Sequence, residues 1–172
     1  MPVDRKFAEY AVAGTAFVVS VCSLFIYIYQ SKLMSEQQQV AVWPYVQWSH
    51  SNVDEYRLEA ENKGVGPALV RKVSMRFNGK PVRSNSELIT AVMGADSALQ
   101  WQQGGLEGIV MSPGEKSPFL IVPGKEAGKA FAEKFNVGTF ALEITYCSIY
   151  GRCWISAGFA AKRTDDDKNV NY

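Results

Sequence analysis

Twenty consecutive residues, Tyr10 to Tyr29 (YAVAGTAFVVSVCSLFIYIY), hold sixteen hydrophobic side chains and no charge. As an α-helix rising about 1.5 Å per residue they extend roughly 30 Å, the thickness of a bilayer hydrocarbon core. A helix in the core of a soluble protein keeps a polar stripe, and here only Thr15, Ser20 and Ser23 break the apolar surface. A cleaved secretory signal has a shorter apolar core of about 7–15 residues and a small-x-small site. The Gln30-Ser31-Lys32-Leu33-Met34 that follows offers no such site. The segment therefore reads as an uncleaved, single-pass transmembrane anchor over 9–31, after a short N-terminal stretch, 1–8. Phe7 and Tyr10 at one end, and Tyr27 and Tyr29 at the other, suit the interfacial aromatic belts. Arg5 and Lys6 before the run outnumber Lys32 after it. By the positive-inside rule the N-terminus is then expected in the cytoplasm and the larger part outside it, at the cytoplasmic (inner) membrane.

Everything charged lies outside this run: 18 Lys and Arg against 17 Asp and Glu, a net charge of +1. A near-neutral balance provides no basic face for nucleic acid, so nucleic acid is not expected as a partner. Residues 32–42 read as a linker, 43–161 as a folded domain, and 162–172 (KRTDDDKNVNY) as a loose polar tail. Strand signals dominate the domain. Tyr56, Leu58 and Ala60 alternate with Arg57, Glu59 and Glu61, and Val73, Met75 and Phe77 alternate with Lys72, Ser74 and Arg76. Asn78-Gly79 predicts a tight hairpin into a return strand over 79–83. Further strands are expected over 119–122, 139–148 and 152–160, with weaker signals over 43–48, 99–102 and 108–111. Two short helices interrupt the series. Ser84-Asn85-Ser86-Glu87 has capping-box spacing ahead of Leu88, Ile89, Val92 and Met93. Residues 125–136 place Ala127, Ala130, Phe131 and Phe135 on one face, with Gly138 beyond. Short strands at this spacing predict an all-β sandwich with two short helices, behind one N-terminal transmembrane helix.

Three features together resemble a group of uncharacterised bacterial single-pass membrane proteins. They are the N-terminal anchor followed by Trp43-Pro44-Tyr45, the turn Asn62-Lys63-Gly64-Val65-Gly66-Pro67-Ala68, and the late Tyr146-Cys147-Ser148 with Cys153-Trp154. The resemblance implies an immunoglobulin-like architecture and carries no established activity.

Little in the sequence supports chemistry. Gly64-Val65-Gly66-Pro67 is glycine-rich, but a phosphate loop needs a following helix and further fixed residues, and Pro67 lacks an N–H. A bent connection with positive φ at one or both glycines is expected instead. His50, the one histidine, is expected in an exposed loop with Ser49 and Asp54 nearby, and no Gly-x-Ser-x-Gly elbow is present. Glu59 and Glu61 read as the solvent face of a strand, and Asp165 to Asp167 as a solvated run without the ligands of a calcium loop. Neither a metal nor a cofactor is expected, and the chain does not read as an enzyme.

Cys147 and Cys153 flank a hairpin loop, and two registers compete. A three-residue loop, Ile149 to Gly151 with Gly151 left-handed, sets the cysteines face to face. A two-residue loop, Tyr150-Gly151, sets them on opposite faces but puts Leu142, Ile144 and Tyr146 beside Phe159, Ala157 and Ile155. An extracytoplasmic domain favours a disulfide, while Cys22 in the anchor is expected as a free thiol. Gly64, Gly66, Pro67, Gly79 and Gly151 are expected to serve turns. Trp43, Tyr45 and Trp48 suit either a first strand packed on the sandwich, the simpler reading, or a membrane-proximal contact surface, and Ala13, Ala16, Ser20 and Ser23 share an anchor face that admits a partner helix. The expected function is a non-catalytic accessory or interaction module, with the lipid bilayer and a protein as partners. The alternatives are a subunit of a larger membrane complex, or a thiol or hydrolytic enzyme.

Overall fold

The computed structural model describes residues 5–95, 97–135, 137–157 and 160–163, and the chain divides into two units, 1–41 and 42–172. The first is a single helix, α1 (Arg5–Ala41), long and apolar enough to cross a membrane. The stretch expected as a linker is helical through Ala41. From Leu33 to Ala41 it is built mainly of good helix formers, and the next proline is Pro44, which restricts the residue before it to extended backbone.

The second unit is built on two antiparallel sheets. Its strands are β1 (Val46–Asn52), β2 (Tyr56–Asn62), β3 (Ala68–Phe77), β4 (Lys80–Val82), β5 (Gln102–Gln103), β6 (Val110–Met111), β7 (Lys116–Val122), β8 (Phe140–Cys147), β9 (Cys153–Ala157) and β10 (Ala160–Arg163). One sheet has the order β1-β2-β7-β5. The other runs β10-β9-β8-β3-β4, with β6 paired to the opening of β3. Two helices, α2 (Asn85–Met93) and α3 (Lys125–Lys134), complete the unit. Lys162 and Arg163, expected in the loose tail, pair with β9 as the end of β10, while the rest of the tail, with Asp165 to Asp167, and Phe159 of the second cysteine register lie outside the described residues.

Local sequence accounts for most of these elements. Tyr56, Leu58 and Ala60 are buried along β2, as their alternation requires. Asn78 and Gly79 both take positive φ (50° and 76°), the signature of a two-residue hairpin loop, and join β3 to β4. The Ser84 side chain accepts from the Glu87 N–H at the start of α2, and Glu87 reaches back to the Arg83 N–H. Along β3 the inward set changes parity. Ala68 and Val70 are buried, then Val73, Met75 and Phe77 pack on the core. A bulge at Arg71 makes the switch, because Val70 faces Tyr146 while Lys72 faces Thr145. In α3 the inward face is Gly128 and Phe131, whereas Ala130 is exposed and Phe135 is already the extended cap residue. Gly128 is required there because a Cβ would stand 2.7 Å from the Tyr56 nitrogen.

Side chains from both sheets share one core. Trp48 of β1 meets Phe140 of β8 edge-on at 5.4 Å. Phe131 and Phe135 close one end over Tyr56, Phe77 and Phe140, with ring centroids 4.9–5.7 Å apart. Tyr56 and Tyr146 are both essentially inaccessible to solvent. Burial pushes the Tyr146 phenol up to about 12, partly offset by the Val46 N–H, which approaches without hydrogen-bond geometry; burial raises Tyr56 further. Both phenols ionise near pH 10 when unfolded. Their contribution to stability is therefore intact below pH 10 and lost as pH rises toward 12, since only the unfolded chain releases protons there. The urea midpoint, followed with the disulfide intact, is expected to fall across that window, and less steeply in Tyr146→Phe. A flat profile between pH 10 and 12 would contradict the buried-phenol assignment.

Candidate functional site

The end of the domain at which the chain enters concentrates the sequence motifs. Val46 pairs with Asn62 where β1 begins and β2 ends, and Leu69 near the start of β3 pairs with Cys147 at the end of β8. Loops 42–45, 63–67, 112–115 and 148–152 therefore lie at this end.

Asn62 organises three of them. Its side chain is fully buried. Oδ1 accepts from the Tyr45 N–H at 3.2 Å and the Gly64 N–H at 3.0 Å. Nδ2 donates to the Gly66 carbonyl at 2.8 Å and the Met111 carbonyl at 3.0 Å. All four hydrogen-bonding positions of the amide are used. Its backbone joins in, donating to the Glu115 carbonyl and accepting from the Gly114 N–H. The glycine-rich turn is thus held against the entering chain. The Val65 and Gly66 N–H groups both donate to the Trp43 carbonyl, and Lys63 N–H donates to Tyr45. With those donors committed and none on Pro67, the loop has no N–H left to cradle a phosphate.

Gly64 and Gly66 do not take positive φ, contrary to expectation. They are glycine for closeness. A Cβ on Gly64 would stand 2.4 Å from the Tyr45 nitrogen, and one on Gly66 only 1.9 Å from the Val42 carbonyl oxygen. Gly66→Ala is expected to cost about 3 kcal/mol or more, since backbone itself must move. Asn62→Ala strands two donors and two acceptors and is expected to cost about 3–5 kcal/mol, with Asn62→Asp no better because its carboxylate faces two carbonyls. Urea unfolding of the full chain in detergent measures both, and losses under 1 kcal/mol would refute the clamp.

The cysteine hairpin takes the first of the two registers. Ser148 N–H donates to the Arg152 carbonyl and Gly151 N–H to the Ser148 carbonyl, leaving Ile149-Tyr150-Gly151 as the loop, with Gly151 at φ 80°. Cys147 then faces Cys153 with Cα atoms 4.0 Å apart, and the two are bonded. Core alternation loses: Ile144 and Tyr146 stand beside Ser156 and Trp154, not Ala157 and Ile155. Ser156 is buried and its hydroxyl has no protein partner. In the oxidised chain a thiol reagent in denaturant is expected to label Cys22 alone. Cys147→Ala with Cys153→Ala should lower stability by about 2 kcal/mol, the loop-closure value for so short a ring. Labelling of three thiols without a reductant would overturn the pairing.

Of the aromatic trio, Trp48 is a core residue, 8% exposed, because it follows Val46 on the inward side of β1. Trp43 is 44% exposed and lies against the half-buried Tyr45 ring at 5.5 Å. On α1 the Ser20 hydroxyl donates to the Ala16 carbonyl at 2.8 Å, within its own helix. Four further apolar residues stand exposed at the entry end, Val65, Val110, Ile149 and Tyr150. For Val65, Ile149 and Tyr150 the signal is an aliphatic or aromatic residue in a turn, where polar ones are usual; Val110 lies in β6.

His50 is in β1, not in a loop, because the strand extends to Asn52; its ring stacks on Tyr56 at 6.1 Å. Ser49, the preceding residue of the same strand, projects from the other face, so the two cannot form a nucleophile–base pair. Glu59 faces Lys116 at 3.4 Å and Arg57 at 4.0 Å, and Glu61 faces Lys63 at 4.0 Å: half-buried carboxylates paired with more exposed cations at the surface. Among the described residues no three His, Cys, Asp or Glu side chains group as metal ligands. A cleft of about 220 Å³ is lined by Val73, Met75, Arg83, Asn85, Gln103 and Phe119 among others. Two of its polar groups serve structure, Asn85 donating to the Phe119 carbonyl and Ser84 capping α2. Comparison with protein-family models and with curated proteins finds no match to this sequence.

Proposed function

We propose that the chain is a single-pass protein of the cytoplasmic membrane that presents an immunoglobulin-like sandwich outside the cytoplasm, as a non-catalytic accessory or interaction module. One observation carries the reading. A helix with a charge-free 20-residue run is joined to a two-sheet domain whose conspicuous polar motifs serve architecture. The glycine-rich turn is a clamp, the cysteines are a staple, and His50 and Ser49 project from opposite faces of β1. Work left to such a domain is contact through its surface. The charge balance around the apolar run supports an N-in orientation, and the disulfide suits an oxidising compartment.

Two fusions to the C-terminus test this, one to a reporter that folds only outside the cytoplasm and one to a reporter that works only inside it. Activity of the first alone is expected, with the chain resisting alkaline extraction from membranes. Activity of the second alone overturns the orientation, and release by alkali overturns the anchor.

A further inference from the structure

On one edge β3 pairs with β8 from Leu69 to Phe77. Its other edge is paired only at the ends, by β6 at Ala68 and Leu69 and by β4 from Met75 to Phe77. Alternate residues of a strand turn their backbone groups to opposite edges. The Asn78 N–H donates to the Thr139 carbonyl on the β8 side, so Phe77, Met75 and Val73 turn theirs to the other. Phe77 and Met75 there meet β4. Beyond the bulge at Arg71 the parity changes, and Val70 bonds outward with Ile109 and Gly108. Among the described residues Val73 is left with no strand opposite. Continued pairing with β4 would set Ser84 there. Ser84 serves α2 instead, its carbonyl accepting from the Leu88 N–H and its hydroxyl from the Glu87 N–H.

Val73 lines the cleft of about 220 Å³ described above, and charged side chains stand to either side of it. Glu107 precedes the Gly108 that bonds to Val70, and Arg83 follows the Val82 that pairs with Met75. Along β3 the order is thus Glu107, Val73, Arg83, over roughly 16 Å of extended chain. Both charged side chains are exposed, and neither forms an ion pair among the described residues; Glu87 is engaged by the Arg83 backbone N–H. Met75, Leu106 and Phe119 supply an apolar lining. A backbone donor and acceptor at an open strand edge match the backbone of an extended peptide. A guanidinium matches a carboxylate through two parallel hydrogen bonds. Glu107 repels a carboxylate and suits a basic group, so the ligand's acidic end belongs at Arg83 and its chain runs parallel to β3. Pockets that enclose a whole small molecule measure about 300–1,000 Å³. This smaller, open cleft suits the end of a longer chain.

We propose that the open stretch of β3 is a peptide-binding site for the carboxyl-terminal end of an extended polypeptide, which adds as a short strand at Val73 with its carboxylate on Arg83. This deepens, and rests on, the reading of the domain as an interaction module. The test titrates the isotope-labelled full chain in detergent micelles with the tripeptide Lys-Leu-Val, as free acid and as amide, and follows backbone amide signals by NMR. The free acid is expected to shift Val73 and residues 103–107. Affinity is expected to fall about tenfold or more for the amide, and equally in Arg83→Gln, whose exposed, unpaired side chain the fold does not need. Equal binding of acid and amide, or no shift at Val73, overturns the site and leaves the rest of the domain surface open to other contacts. Acetate binding as tightly as the tripeptide overturns the peptide assignment. An amidated peptide with an internal aspartate that binds as tightly as the free acid overturns the chain-end assignment. Tripeptide recovered cleaved, with binding still dependent on Arg83, supports the site and overturns the non-catalytic reading.

Discussion

A single buried amide, Asn62, holds together the part of this domain in which its sequence is most distinctive. Two N–H groups and two carbonyls from segments up to 49 residues away converge on it. A buried polar group costs stability unless it is matched, and one matched at every position fixes a unique arrangement. An apolar residue of similar size would leave Tyr45, Gly64, Gly66 and Met111 with unanswered backbone groups. The two glycines belong to the same device, since only their missing side chains let Val42 to Tyr45 lie this close.

The cysteine hairpin shows one constraint overriding another. Hydrophobic alternation along β9 favours Ile155 inside, and a three-residue loop with a cross-strand bond places Ser156 and Trp154 there instead. The Trp154 ring stacks on Tyr146 at 5.9 Å, which recovers apolar contact, while Ser156 is left buried among neighbours that offer it no hydrogen bond. A covalent bond and a left-handed glycine at the turn act locally and together, and outweigh one methyl-rich side chain's preference for the core.

What could be read in advance follows the same division between local and distant causes. The long apolar helix, the alternation of β2, the Asn78-Gly79 turn and the Ser84–Glu87 cap are each determined by neighbours within a few residues. The bulge at Arg71 is not, because it reconciles two inward-facing sets that only meet when β3 is laid against β8. Nor is the purpose of Gly64 and Gly66, which depends on a chain segment some twenty residues earlier. His50 was misplaced because Ser-His-Ser-Asn carries turn residues, yet pairing with β2 through Asn52 outweighs their propensity. Of the aromatic trio, Trp43 is exposed, Tyr45 half-buried and Trp48 in the core, a difference that residue type alone does not carry, and the shared exposure of Val65, Ile149 and Tyr150 emerges only once the topology brings their loops to one end.

The stitching of Val42 to Tyr45 also has a mechanical meaning. Tension applied to Val42 along the direction of β1 does not meet a loose tether. It meets the Trp43 carbonyl bonded to Val65 and Gly66, then a seven-residue antiparallel ladder against β2. Pulled along its length, such a ladder loads its hydrogen bonds together and not in succession. The domain is therefore built to resist force at the point where it is tethered, and to yield more readily when its opposite edges are peeled apart.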